Sequence, residues 1–296
     1  MTKGDSKRVI PLESNPFLFT ELAYQLGLSP ILQFHDVYSL TDPDLLAMLP
    51  TPIYAIILLF PLSPNYEKYR QQQDNNNNNN FNSTNLIKYD NNNDIEWFKQ
   101  TIGNGCGLYA LLHILTNLPQ DLIISNSKLS QLRNNLTKVK EFSIDDRAKI
   151  IENLENDIKL DENFGEKGDT KAPDINESVD LHFISFIKST KNGHLYELDG
   201  RRTGPIDLGE SNNKDNNNNN NSTSDTNYSG GGGGGDDDKH VLINPIILKD
   251  KIDQSITKKK NKHQNSSSSL PINNYKDDLL LEYIQMKSKL YIKAII

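Results

Sequence analysis

Cysteine is nearly absent from this chain of 296 residues, which contains only Cys106. One sulfur can form neither an internal disulfide nor a cysteine metal cluster, so packing, regulation and nucleophilic attack remain as its uses. Histidine pairs at metal-ligand spacing are also missing, and we expect neither a metal nor another cofactor. The apolar run 53–62 is too short to cross a bilayer and predicts a central strand instead.

A leader of charged and then apolar residues is absent from Met1–Asp5, and a lone thiol survives best in a reducing compartment. We therefore expect a cytoplasmic protein with no membrane partner. The basic run Lys258–Lys260 has no interleaved aromatic residues, so we expect no nucleic-acid partner either. The formal net charge of −7 agrees with a basic partner but discriminates little.

Apolar residues are scarce in three tracts rich in asparagine, serine, glycine or lysine. These tracts lie near residues 71–93, 211–239 and 257–274, and none can bury enough apolar area to offset its conformational entropy. We predict that all three are disordered insertions in a single domain spanning residues 1–296. Apolar patterning predicts further elements: helices over Phe17–Leu26, Asp145–Ile158 and Leu279–Lys289, and a final strand over Lys289–Ile296.

What the chain does contain is a glycine-rich run that leads into an amphipathic helix, with Cys106 where the two meet. After it, Leu108, Leu111, Leu112 and Leu115 fall at i, i+3, i+4 and i+7, the stripe of a helix that faces a core. At a helix N-terminus, unpaired backbone N–H groups and the macrodipole favour thiolate over thiol, and the flanking glycines leave the sulfur accessible. The alternative is a buried cysteine that caps a core helix.

A predicted β-hairpin lies far along the chain from this cysteine. The runs 179–187 and 194–201 are rich in β-branched and aromatic residues, and Lys191–Gly193 between them indicates a turn. The loop length decides which residues oppose each other, because the numbers of opposed residues in an antiparallel pair have a constant sum.

His182 and Asp199 can meet in only one of the two registers considered for this hairpin. A two-residue turn would leave Asp199 roughly 13 Å from His182 along the strand. A four-residue loop at 190–193 places Asp199 diagonal to His182 on the same face, within side-chain reach. We predict the longer loop, in which Asp199 orients the imidazole and His182 activates Cys106.

Gln100, upstream of the cysteine, adds a fourth polar group. Its side-chain amide can join the Cys106 backbone N–H in an oxyanion hole. Taken singly, each residue has a plainer alternative: His182 as a hydrogen-bonded core histidine, Asp199 as a turn residue and Gln100 as a surface glutamine. Their combination in one chain favours catalysis.

Together these motifs resemble the ubiquitin carboxyl-terminal hydrolases, papain-like thiol hydrolases of the short, single-domain kind. The resemblance covers roughly residues 8–210, with a weaker continuation to the C-terminus. It rests on six segments: Ile10–Pro16, Gln33–Tyr38, Leu58–Pro61, Gln100–Gly107, Val179–Ile184 and Leu195–Arg201.

The resemblance implies a fold, a catalytic set and a substrate. The fold is of the α+β class, with a papain-like core, a central antiparallel β-sheet flanked by helices, and a knotted backbone path. Cys106 is implied as nucleophile, His182 as general base and acid, Asp199 as its orienting group and Gln100 as transition-state stabiliser. The implied partner is ubiquitin or a close relative such as the neddylation modifier, cut after its terminal glycine to release small adducts or peptide extensions. We expect the enzyme to act as a monomer.

The resemblance also implies a docking surface for the substrate. Pro11, Leu12 and Glu13, together with Asp36, correspond to part of the ubiquitin-binding face. The tail to be threaded carries arginines, and a carboxylate pairs well with a guanidinium. The alternative for Asp36 is a solvated acid at a strand end.

Residues 159–176 are charged and contain few apolar side chains, which predicts a mobile loop. By position this segment resembles the family's active-site crossover loop, under which the adduct must pass. It would act as a size gate that admits flexible tails and excludes most folded proteins.

Three functions are compatible with these residues. The first is a deubiquitinase that works through an acyl-enzyme. The second is a ubiquitin-binding module of the same fold without turnover, and the third is another papain-like thiol hydrolase or transferase. The complete set of Cys106, His182, Asp199 and Gln100 favours the first.

Overall fold

A computed structural model describes the chain at residues 7–64, 66–68, 70–71, 74, 95–138, 143–158, 167–171, 173–177, 179–211, 243–251 and 291–295. The predicted insertions lie almost wholly outside the described residues, as does the predicted helix Leu279–Lys289. Residues 71 and 74, at the edge of the first tract, are helical. No described helix combines the length and apolar character needed to cross a membrane.

The described strands form one sheet, and each neighbouring pair in it is antiparallel. The spatial order is β1-β6-β2-β3-β4-β5. The strands are β1 (Phe34–Val37), β2 (Ala55–Pro61), β3 (Leu181–Lys188), β4 (His194–Leu198), β5 (Ile206–Glu210) and β6 (Tyr291–Ile295).

Strand β2 lies inside the sheet, as its continuous apolar run predicted, because both of its faces are covered. Ile57 and Leu59 belong to one hydrophobic core, and Leu58 and Phe60 belong to a second core on the opposite face. Side chains alternate between faces along a strand, so a strand buried on both sides must be apolar throughout. The predicted C-terminal strand is also present as β6, between β1 and β2.

Helices cover the sheet mainly on the first of these faces. Helix α1 starts after Asn15, whose side chain accepts a hydrogen bond from Phe17 N at 2.9 Å, and ends at Gly27 in the left-handed conformation (φ 118°). The predicted helices at 17–26 and 145–158 are both confirmed within one residue. The bounds are α1 (Pro16–Leu26), α2 (Pro43–Ala47), α3 (Cys106–Leu115), α4 (Lys128–Lys138) and α5 (Ile144–Ile158).

The β3–β4 hairpin has the predicted four-residue loop. Ser185 pairs with Leu198 and Lys188 with Leu195, and Ser189 N donates to His194 O at 2.8 Å, which closes the loop at 190–193. The opposed residue numbers therefore keep the sum that places Asp199 across from Ile184. This register determines the geometry of the site.

Candidate active site

Cys106 is the first residue of helix α3 and is partly exposed. Gly105 caps the helix without a side-chain hydrogen bond, so no capping group competes with the sulfur for the first backbone N–H groups. Burial alone would raise the pKa of the Cys106 thiol. Hydrogen bonding to His182, the charge of His182 and backbone hydrogen bonds from Phe183 and Gly107 outweigh burial and lower it.

The start of α3 fits tightly against its surroundings. A Cβ at Gly107 would lie 2.9 Å from Leu12 Cβ and 3.4 Å from the ring of Phe183, so only a glycine lets the helix approach this closely. Asn104, two residues before the cysteine, has a left-handed backbone (φ 59°), which asparagine tolerates better than most residues. These two features fix where the sulfur emerges.

His182 and Asp199 are both buried and in direct contact. His182 Nε2 lies 2.8 Å from Asp199 Oδ1, which leaves Nδ1 of the ring for the thiol of Cys106. The rings of Phe60 and His182 pack nearly perpendicular to each other at 5.7 Å between centroids, which restrains the plane of the imidazole. Burial would lower the pKa of His182, but the charge of Asp199 and the hydrogen bonds to Asp199 and Cys106 raise it to about 9.

Asp199 is held in place by hydrogen bonds from its own turn and from the distant Trp97. Its Oδ1 also accepts from the backbone N–H of Arg201 at 2.8 Å, and its carbonyl accepts from Trp97 Nε1 at 3.0 Å. Burial works to raise the pKa of Asp199, but the charge of His182, the hydrogen bond to His182 and the charge of Arg202 hold it well below its usual range. The carboxylate therefore stays ionised while buried.

Gln100 lies against the same turn. Its backbone N–H donates to Gly200 O at 2.7 Å, and a Cβ at Gly200 would come within 2.9 Å of Gln100 Cβ. One N–H of its side-chain Nε2 donates to Ile102 O at 3.1 Å, which leaves the second N–H for another acceptor. Its Oε1 is buried and has no hydrogen-bond partner among the described residues. The side chain therefore keeps one amide N–H for a further acceptor, and its oxygen holds no hydrogen bond that such a contact would break.

The four residues predicted for docking occupy different positions. Leu12 is buried beneath the start of α3, and the neighbouring Pro11 is partly exposed. Glu13 accepts from the backbone and hydroxyl of Thr170, at 3.1 and 3.0 Å. Asp36 is partly exposed on edge strand β1, three strands from β3 and thus roughly 14 Å from the histidine's strand. The structure does not bring Asp36 near the buried histidine.

The described part of the 159–176 segment is bound to the body of the protein at several points. Besides the Glu13 contacts, Asn15 Nδ2 donates to Asp169 at 3.1 Å. Asn104 Nδ2 donates to the carbonyl of Ile175 at 3.0 Å, which ties the segment to the residues just before Cys106. This role of Asn104 was not predicted, because its partner lies 71 residues away along the chain.

His113 of α3 is fully buried and takes no part in this hydrogen-bonded set. Its Nε2 lies 3.1 Å from both the N and the O of Phe98, and its ring is stacked on the ring of Phe98. Burial lowers the pKa of His113 to about 4, despite the opposing hydrogen bond at Phe98.

The described residues include no group of three or more side chains suited to a metal ion.

Comparison with known proteins gives consistent matches. A sequence model described as "Ubiquitin carboxyl-terminal hydrolase, family 1" matches residues 9–225. The chain is 36% identical over 211 residues to ubiquitin carboxyl-terminal hydrolase YUH1 of Saccharomyces cerevisiae, covering 71% of this chain and 82% of the relative. It is 35% identical over 212 residues to a ubiquitin carboxyl-terminal hydrolase of Aplysia californica, covering 71% and 89%.

Solved structures show the same fold. The chain is similar to the catalytic domain of Trichinella spiralis UCH37 bound to ubiquitin vinyl methyl ester, with a TM-score of 0.52 and 17% identity. That match covers 98% of this chain and 95% of the other. The predicted α+β fold with a papain-like core is confirmed, and the knotted path stays a prediction.

Proposed function

Because this chain belongs to family 1 of the ubiquitin carboxyl-terminal hydrolases, we propose that it releases small adducts or peptide extensions from the C-terminal glycine of ubiquitin through an acyl-enzyme. It is a cysteine-type ubiquitin hydrolase. The observation that supports the mechanism best is the buried contact between His182 and Asp199, with Cys106 hydrogen-bonded to the same imidazole.

In the first half of the reaction, the thiolate of Cys106 attacks the carbonyl carbon of the terminal glycine. The oxyanion that forms is held by the Cys106 backbone N–H and by Nε2 of Gln100. The bond from this carbon to the leaving nitrogen then breaks, and His182 gives its proton to the amine. The product is a thioester between Cys106 and the modifier.

In the second half, water replaces the amine. His182, now neutral, takes a proton from the water that attacks the thioester carbonyl, and the carbon–sulfur bond breaks. The modifier leaves as a carboxylic acid, which releases its proton to solvent, and the proton on His182 restores the ion pair with Cys106. Asp199 keeps its charge throughout and stabilises the imidazolium in both halves.

Substrate docking is proposed at the predicted face around Pro11, Leu12, Glu13 and Asp36. Asp36 and Glu13 present carboxylates that suit arginines in the modifier's tail. Buried Leu12 would contribute by supporting the start of α3. Glu13 also accepts a hydrogen bond from Thr170 of the 159–176 segment, so this residue would contribute both to substrate docking and to the predicted size gate.

The proposal extends to the enzyme's domain organisation, its oligomeric state, its location and a second substrate. The enzyme works as a single catalytic domain and a monomer in the cytosol, where a lone thiolate stays reduced. The neddylation modifier is a second candidate substrate, which parallel turnover of the two modifiers in fluorogenic form would rank.

A fluorogenic derivative of the ubiquitin C-terminus tests the proposal directly. We expect release of the fluorophore by the natural chain and a loss of at least about 10³-fold in kcat for Cys106→Ser, with ubiquitin binding retained. Binding without release by the natural chain would instead identify an inert module. Failure of a ubiquitin vinyl probe to label Cys106 would indicate a thiol enzyme with another substrate.

A further inference from the structure

A pair of buried charges lies behind the turn that carries Asp199. Arg202 and Asp74 are each about 5% exposed, and Arg202 Nη1 lies 3.0 Å from Asp74 Oδ1. The two residues are 128 positions apart in the sequence. Burying two charges costs more free energy than their attraction commonly returns, so this pair calls for a role beyond stability.

Asp74 is one of three charged residues on a single helical face, all of which contact the same turn or one another. Glu67, Arg70 and Asp74 are spaced i, i+3 and i+7, which places them on one side of a helix. Arg70 Nη1 donates to the carbonyl of Arg201 at 2.7 Å, and Glu67 pairs with the Arg201 side chain at 3.0 Å. This helical segment is therefore fastened to the turn that follows Asp199.

The carboxylate of Asp199 has one oxygen in use and one available. Oδ1 accepts from His182 Nε2 and from the Arg201 backbone, each at 2.8 Å, whereas Oδ2 is buried without a hydrogen-bond partner among the described residues. The charge of Arg202 already acts on Asp199 and helps to keep it ionised. A guanidinium that moved onto Oδ2 would compete with His182 for the same negative charge.

We propose that Asp74 is a positioning residue of the catalytic centre: it keeps the guanidinium of Arg202 on its own carboxylate and off Oδ2 of Asp199, so that the hydrogen bond from His182 to Asp199 has no competitor. The inference rests on the proposed function, in which His182 and Asp199 are catalytic. It assigns a task to a residue at the edge of the first asparagine-rich tract, outside the motifs of the site.

The other charged and titratable groups around Asp199 are consistent with this role of Asp74. Glu197, on the strand that leads into the turn, lies 3.8 Å from Arg202 Nε and gives the guanidinium a second carboxylate partner besides Asp74. The groups that face Asp199 or its imidazole from the packed elements are Cys106 and His113 of α3, His182 of β3, Arg202 of the turn and Asp74 of the helical segment.

The test is an NMR titration of the His182 ring in a Cys106→Ala background, where no ubiquitin turnover is needed. With Asp74→Asn, Arg202 turns to Asp199, and we expect the His182 midpoint to fall by about one pH unit. With Asp74→Asn and Arg202→Met together, Arg202 can no longer compete and Arg70 is still held by Glu67 and by the carbonyl of Arg201, so the midpoint returns to that of the parent. An unchanged midpoint in Asp74→Asn, or no recovery in the double variant, overturns the proposal.

The double variant also decides the matter if Asp74→Asn alone does not fold, because it removes both members of the buried pair together and does not leave the Arg202 charge without Asp74. A parent-like midpoint then supports the proposal, and a lowered one means that Arg202 supports Asp199 directly and overturns it. Asp207→Asn is the matched control, since Asp207 pairs with a different histidine, His194, at 2.8 Å. We expect it to leave the His182 midpoint unchanged. Failure of the proposed function would appear separately, as absence of ubiquitin hydrolysis by the natural chain.

Discussion

The thiol of Cys106 and the imidazole of His182 have their pKa values moved toward each other's usual range. The pKa of Cys106 is lowered, and that of His182 is raised to about 9. Above the lowered pKa of Cys106 and below about 9, the sulfur is a thiolate and the ring an imidazolium, which is the state that attacks a carbonyl and then protonates an amine. A pH window for activity follows directly from this pair.

We predict that iodoacetamide alkylates Cys106 rapidly below the ordinary thiol pKa of 9.0, because its lowered pKa allows the thiolate to form there. In His182→Ala the half-maximal pH for alkylation should rise to about 9.0 or above, since burial still acts on the sulfur. For ubiquitin turnover, kcat should fall as the pH passes about 9, where the imidazolium loses its proton. Equal alkylation profiles for the two proteins would contradict this coupling.

Gln100→Ala separates oxyanion stabilisation from nucleophile activation. The substitution keeps the backbone N–H that donates to Gly200 O and removes only the side-chain amide. We expect kcat for ubiquitin hydrolysis to fall by about 10²–10³-fold, the usual effect of losing one oxyanion donor. Alkylation of Cys106 serves as the control, because it forms no oxyanion, and its rate should not change. A matching loss in alkylation would mean that Gln100 acts by placing the sulfur.

The placement of the candidate catalytic residues could be predicted because each lies in a local pattern: a glycine-rich entry to a helix for Cys106, and a hairpin for His182 and Asp199. Asp74 and Arg202 could not, because their pairing joins two segments that share no local pattern and lie 128 residues apart. An isolated carboxylate at the edge of a polar tract gives no indication that it will be buried.

At the scale of elements, the predictions depended on loop length and periodicity. The four-residue loop at 190–193 determined which β3 and β4 residues face each other, and that register follows from the residue numbers once the loop length is chosen. Helix α4 was not predicted, although Leu129, Leu132 and Leu136 are buried at i, i+3 and i+7, which is a helical pattern.

The close approach of the Asp199 turn to the Gln100 segment depends on Gly200. An alanine Cβ there would lie 2.9 Å from Gln100 Cβ, 3.2 Å from Gln100 N and 3.3 Å from Phe98 O, and two of these atoms belong to the backbone. We predict that Gly200→Ala lowers the free energy of unfolding by about 1–3 kcal/mol and also lowers kcat, because the two segments must separate. Urea unfolding and ubiquitin hydrolysis measure the two effects.

Gly193→Ala is the matched control for that experiment. Gly193 has a left-handed backbone (φ 70°) and no atom within 4 Å of an added Cβ, so alanine there costs roughly 1–2 kcal/mol through backbone strain alone. It lies at the far end of the same hairpin, and we expect its kcat to be unchanged. If both variants lose activity equally, general destabilisation rather than the Gly200 contact explains the loss.

At the scale of the whole molecule, the order of strands could not be predicted. The pattern of a strand shows which of its faces are buried but not which strand lies beside it, and β6 pairs with β1 and β2, which are far away in sequence. The apolar run of β2 showed that it would be interior, because an edge strand or a strand with one wet face would alternate. Neighbour choice needs contacts that local sequence does not encode.

Two buried histidines give the molecule opposite pH dependences of stability. The folded pKa of His113 is lowered from 6.5 to about 4, so its contribution to stability is present above pH 6.5 and is lost as the pH falls toward 4. The folded pKa of His182 is raised to about 9, so its contribution is present below pH 6.5 and is lost as the pH rises through 9. Stability should therefore decline on both sides of neutrality, with a different histidine responsible for each side.

His113→Gln tests the acidic side, because glutamine can keep a hydrogen bond to Phe98 but does not titrate. Between pH 7 and 4.5 we expect the natural chain to lose up to about 3 kcal/mol of unfolding free energy through His113, and the variant to be spared that loss. Urea unfolding at several pH values measures it, with His194→Gln as the control, since His194 is partly exposed and paired with Asp207. A slope in His113→Gln as steep as in the natural chain would show that carboxylates, rather than this buried imidazole, set the acid limit of the fold.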